Sequence, residues 1–230
     1  MTVLQACQTA GLRLTGTRPP TVFSTNDRFS AELADLATET AIGIATAHDW
    51  QVLTKKHTIP GDGVTTSFAL PSDYDRMPIK SNVYSTRSLI AFLPVQDLDQ
   101  WLEFEVQPVV GSPGYWIILG GRFQVLPVMG SSEIAKFYYV SNEIITNGTA
   151  NKTEFSADAD VFKLSERLLT LGIIWRWRAQ KRLEFAEDLS NYQTALNEEI
   201  GRDKGSRIIS VGRARVPFGA EMAYPGIIIG

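Results

Sequence analysis

The chain has 230 residues, 44% of them hydrophobic and 20% charged, an ordinary globular composition that suits one large domain or two small ones. No apolar run approaches the ~18 residues a membrane span needs, which excludes a membrane partner of that kind. The single cysteine, Cys7, excludes an internal disulfide or a thiolate metal cluster. The formal charge of −3 argues against wholesale coating of nucleic acid, but it is unevenly spread. From Arg202 onward five basic residues face two acidic ones, a local +3, so the preceding 201 residues carry −6. An acidic body with a basic tail is the first organisational feature.

The opening "MTVLQACQTAGLRL" has no basic segment ahead of an apolar core. It is expected to form a short helix over residues 2–14, not a secretory leader. Gly16 and the Pro19–Pro20 pair end that helix. A long helix follows, with Ser24 or Asn26 as the expected N-cap and Asp27 near its positive end. Phe29, Leu33, Leu36, Thr40, Ile44 and Ala47 recur at three- and four-residue steps and predict one buried stripe.

The period then changes. "QVLTKKHTIPGDGVTTSFALP" predicts two strands in a hairpin about Gly61-Asp62-Gly63, and "SNVYSTRSLIAFLP" a further strand pair. "VQDLDQWLEFEV" predicts a short helix with Leu98, Trp101 and Leu102 facing inward. "GYWIILGGRFQVLP" predicts a hairpin turning at Gly120-Gly121, and "SEIAKFYYVSNEI" another strand. From "SADAD" a single helix is expected to run from about Asp158 to Asp203, on the order of 65 Å long. Beyond it, residues 204–230 are basic, apolar, glycine-rich and without helical period; such a segment orders against a partner. The expected fold is therefore α+β. Residues 1–50 and 158–203 form a long-helix core, 51–157 an antiparallel β-rich insertion with one short helix, and 204–230 an extended C-terminal arm.

No catalytic, cofactor or metal site emerges. His48 and His57 have no third ligand at metal spacing, and no phosphate loop or nucleophile elbow occurs. The acid pairs Asp97/Asp99 and Glu103/Glu105 would suit a peptidoglycan-cleaving tail protein only if burial raised one of each. "RWRAQKR" together with the basic tail offers a second alternative, a nucleic-acid-binding protein that stacks bases and neutralises phosphates.

The same motif poses a packing problem. Trp175 and Trp177 lie roughly 200° apart on a helix. Trp175 continues the stripe Leu164–Leu168–Leu171–Trp175, whereas Trp177 falls on a second one with Phe162, Leu169, Ile173, Phe185 and Tyr192. Two apolar stripes on one helix require burial on two sides. The second is expected to meet a neighbouring copy, making those six residues the expected subunit interface.

Taken in order, "MTVLQACQTAGLRLTGTRPPTV", "AHDWQVLTK", "FALPSDYDRM", "GGRFQVLP", "FYYVSNEI" and "RWRAQKRLEFAEDLSNYQTALNEEI" resemble the head-to-tail adaptor (connector) proteins of tailed bacteriophages, the broad group that includes the tail accessory factors of short-tailed phages. The resemblance implies a structural virion protein without turnover or cofactor, assembled in the host cytoplasm. It implies a homo-oligomeric ring, commonly of twelve copies, beneath the portal protein at the head–tail junction. Such a ring extends the channel for double-stranded DNA, helps retain the genome, and carries the next tail component, whether stopper, nozzle or tail tube. The C-terminal arm then reaches the portal, with Arg207, Ile208, Ile209, Arg213, Arg215 and Phe218 as the expected contacts.

Overall fold

The Thr2 backbone N–H donates to the Gln5 side chain at 3.0 Å and starts helix α1 (Val3–Thr15), which Gly16 ends in the left-handed region at φ 76°. The computed structural model describes residues 2–79, 81–107 and 113–203. Helix α2 (Arg28–Ala47) is capped by Asp27, whose carboxylate accepts the Ser30 N–H at 3.0 Å. The cap is therefore neither Ser24 nor Asn26: Asp27 both reaches an orphan N–H and brings the charge a helix start favours. Strands β1 (Thr54–Pro60), β2 (Ser67–Ala69), β3 (Tyr74–Arg76), β4 (Tyr84–Ser85) and β5 (Leu93–Pro94) precede helix α3 (Leu98–Val106). After it come β6 (Tyr115–Leu119), β7 (Arg122–Leu126), β8 (Ile134–Ser141), β9 (Ile145–Thr146), β10 (Asn151–Lys152) and β11 (Val161–Phe162). Helices α4 (Glu166–Gln180) and α5 (Ala186–Asp203) complete the described chain.

The strands form two main sheets. In the first, β8 pairs antiparallel with β1 along one edge, Thr54 opposite Val140 and Pro60 opposite Ile134, and with β3 and β4 along the other. In the second the order is β2-β7-β6-β5, antiparallel except for the β5–β6 pair. Gly120 and Gly121 turn the β6–β7 hairpin at φ 59° and 71°, as expected. The hairpin expected at residues 61–63 does not form, because β1 and β2 belong to different sheets. Gly61 passes so close to Gly130 that a Cβ there would lie 2.3 Å from the Gly130 carbonyl oxygen. Its glycine serves that crossing.

The sheets stack. Phe123 and Val125 from the second meet Ile59, Phe137 and Tyr139 from the first in one apolar cluster, while Ile117, Tyr115 and Leu126 on the reverse face meet Val95, Trp101 and Phe104. The order of layers is thus α3, second sheet, first sheet. Of the three α3 residues expected inward only Trp101 is buried; Leu98 and Leu102 face outward. The helix is turned so that Trp101 and Phe104 rest on the sheet.

The helical part centres on α4, which packs against α1, α2 and α5. The single helix expected over residues 158–203 is corrected here. "SADAD" is a loop, not a helix start: Asp158 accepts the Val22 N–H at 2.9 Å, and Asp160 accepts those of Ser156 at 2.8 Å and Ala157 at 3.0 Å. The chain turns again at residues 181–185, where Arg182 takes φ 57°, and α5 folds back along α4. At the centre of this packing stands Gly172, where a Cβ would lie 2.2 Å from Thr40 Cγ2 on α2 and 3.3 Å from Tyr192 on α5. Gly172→Ala is expected to cost about 1–3 kcal/mol by overpacking. Adding Thr40→Ser, which removes that methyl group, should restore part of the loss in thermal melts.

Candidate functional site

The "WRWR" motif is where base stacking or subunit packing was expected, and the chain itself covers both indoles. Trp175 packs against Tyr192 and Phe185 at ring-centroid distances of 6.1 and 6.5 Å, so α5 shields it. Trp177 stands edge-on to Phe29 of α2 at 6.0 Å and donates its indole N–H to Glu32 at 3.3 Å, with Lys181 Nζ 5.6 Å from the ring centroid. The basic residues between them are also engaged. Arg176 pairs with Glu39, Arg178 with Asp188 at 2.6 Å, and Lys181 with Glu32 at 2.8 Å. The motif spends three of its cations within the fold, which removes the free cationic face that phosphate binding needs.

The expected subunit interface is corrected by the same packing. Phe162, Leu169, Ile173 and Tyr192 are buried in the chain's own core, and Trp177 packs at its edge. Only Phe185 is substantially exposed, at 36%. Buried side chains of one copy cannot contact another. The physical reason is the break at residues 181–185, which lets α5 supply the second cover for α4. A signal for that break does exist: "RAQKR" followed by "EFAED" places cations and then acids, the charge order of one helix ending and another beginning.

The expected catalytic alternatives find other roles for their residues. Asp97 caps α3 by accepting the Asp99 N–H at 3.0 Å, and Glu105 accepts the Trp101 indole N–H at 2.9 Å. His48 lies 3.4 Å from Asp203, while His57 packs against Phe137 and Tyr139. Among the described residues no group of three His, Cys, Asp or Glu side chains is placed to hold a metal ion, and no helix is long and apolar enough to cross a membrane. Burial, with the charge of Asp158 nearby, pushes the Cys7 thiol up to about 12.

The end of α5 is held at a fixed point. The Asp203 carboxylate accepts the Gln51 backbone N–H at 3.1 Å, and its carbonyl accepts the Gln51 side-chain amide at 2.6 Å. The end of α5 is thereby tied to the corner between α2 and β1. Arg207, Ile208, Ile209, Arg213, Arg215 and Phe218 lie outside the described residues.

The SU10 adaptor protein family matches the chain over residues 1–217. The chain belongs to this family of bacteriophage head-to-tail adaptors. No match was found among curated proteins. Membership makes the chain a structural phage component.

In this adaptor the landmark stretches tie strands of the first sheet to one another and that sheet to the end of α2. Asp73, from "FALPSDYDRM", accepts from Lys55 Nζ at 2.6 Å, Ser141 Oγ at 2.8 Å and the Tyr139 hydroxyl at 2.9 Å. Lys55 also reaches Glu143 at 2.8 Å, and the Lys163 ammonium donates to the Glu143 carbonyl at 2.6 Å. A second junction links Arg76 to Asp49 at 3.1 Å and to the His48 carbonyl at 3.0 Å, at the end of α2. Burial alone would raise the Asp73 pKa, but the hydrogen bonds from Lys55, Ser141 and Tyr139 win and hold it at about 2.

Because that value lies below the ordinary 3.8, the Asp73 contribution is complete above about pH 4 and disappears as pH falls through about 2. Asp73→Asn is expected to cost about 2 kcal/mol near neutral pH and to flatten the acid limb of stability between pH 4 and 2, read from denaturant midpoints at each pH. Trp177→Ala is expected to destabilise the isolated monomer by about 2–3 kcal/mol. An unchanged melting curve with impaired assembly would return Trp177 to the interface.

Proposed function

We propose that this adaptor forms a closed ring, of twelve copies, beneath the portal at the head–tail junction. The ring extends the channel through which double-stranded DNA passes without sequence-specific contact, and it provides the platform for the next tail component, a stopper, nozzle or tail tube. The family match over residues 1–217 is the observation that carries this reading. The pinned end of α5 supports it further, since an arm that docks elsewhere gains precision from a rigid departure point. The net charge of −6 over residues 1–201 suits a conduit for DNA, because like charge discourages sticking.

Portal contact is assigned to the arm, with Arg207, Ile208, Ile209, Arg213, Arg215 and Phe218 as the contact residues. Basic and apolar side chains together bind a partner that offers acidic and apolar surface. Deleting residues 205–230 is expected to leave the thermal melt of the body unchanged and to abolish attachment to portal rings in a co-sedimentation assay. Attachment of the truncated chain at wild-type affinity would overturn the assignment.

A further inference from the structure

Helix α3 carries an apolar stripe that the described chain leaves open. Leu98 is 58% exposed, Leu102 57% and Val106 72%, and their four-residue spacing aligns them on one face. Asp99 and Glu103 flank that face, both exposed, and the sequence holds no lysine or arginine between Arg87 and Arg122. The outer surface of α3 is therefore apolar with an acidic rim.

The first sheet presents the opposite character. Along β8 the side chains alternate, with Ala135, Phe137 and Tyr139 inward and Ile134, Lys136 and Tyr138 outward. Across the strands Lys56 stands opposite Tyr138, and Tyr84 opposite Lys136. Tyr84 and Tyr138 are 57% and 56% exposed. Neither Lys56 nor Lys136 forms an ion pair among the described residues. This face is apolar with a basic rim.

The two faces cannot meet within one copy. The second sheet and the apolar layer between the sheets separate them, so they look in opposite directions. We propose that the outer face of α3 in one copy seats on the outer face of the β1–β8–β4 sheet of the next. Each copy gives one surface and receives the other, the head-to-tail contact that closes into a ring when its rotation allows. Apolar burial supplies the attraction. The rims set the polarity, because pairing either face with itself brings like charges together. This inference rests on the ring reading and assigns its contact surfaces.

Two charge-reversed full-length chains test it, with portal rings from the same phage present and ring formation followed by sedimentation and electron microscopy. One carries Asp99→Lys with Glu103→Lys; the other carries Lys56→Glu with Lys136→Glu. All four positions are exposed, so both monomers are expected to stay folded, the first melting slightly lower because Asp99 lies in the first turn of α3. Each alone should lose rings by about tenfold or more. An equimolar mixture should recover them, since each α3 then faces opposite charge on its neighbour's sheet and the variants alternate round the ring. An uncharged variant, Leu102→Gln with Val106→Gln, should also lose rings and gain nothing from mixing. If wild-type chains form rings while either reversed variant does so alone, or while the mixture stays monomeric, the assigned faces are wrong and the ring reading survives. Failure of the wild-type chain to form rings on portal overturns both.

Discussion

The close passage of α4 between α2 and α5 is the constraint on which the helical part depends. Gly172 lets Thr40 and Tyr192 approach α4 with no room for a methyl group there. Because the helices pack this near, Leu168, Leu169 and Ile173 are excluded from water on every side. A central helix that is apolar all round is what such burial demands. The charged residues of α4 lie at its two ends, Glu166 and Arg167 at the start and Arg176 and Arg178 in the last turns, where the two arginines find acids on α2 and α5. The motif that looks like a nucleic-acid reader is thus the polar edge of a three-sided helix packing.

The β layers obey a different constraint. They share no continuous core with α4: the cluster between the sheets and the cluster around α4 are separate, and Val140 at the end of β8 belongs to the helical one. Polar junctions bridge the gap. Asp49 and the His48 carbonyl, at the end of α2, take Arg76 from β3 and so link the first sheet to the helices, while Asp73 ties β1 to β8 within that sheet. Hydrogen bonds to charged groups are directional, so a modest number of them can orient a layer that apolar packing alone would leave free to slide.

Much of this was legible in the residues. The α+β class, the first two helices, the glycine turn at 120–121 and the long strand ending in "FYYVS" all follow from period and turn chemistry. The errors have physical sources. The break at residues 181–185 contains neither glycine nor proline, so local propensity continues the helix and the order of cations then acids is its one local sign. The stripe assigned to a neighbouring copy was a true sign of two-sided burial, but sequence period cannot say whose surface does the covering. On α3 the reverse occurred. Leu98 and Leu102 look like core residues because they are leucines, whereas Trp101 and Phe104 hold the sheet and leave the leucines outside. Strand partners were likewise invisible, since β1 and β2 flank a good turn yet pair with strands more than fifty residues away.

The lone thiol has a consequence for durability. A phage component must persist in aerated surroundings that no cellular reductant controls. Cys7 sits on α1, buried against α2, and burial holds its thiol far above the ordinary range, so the reactive thiolate is scarce at neutral pH. Oxidation and mixed disulfides both begin from that anion. Buried and protonated, this sulfur atom acts as packing material in the helical core.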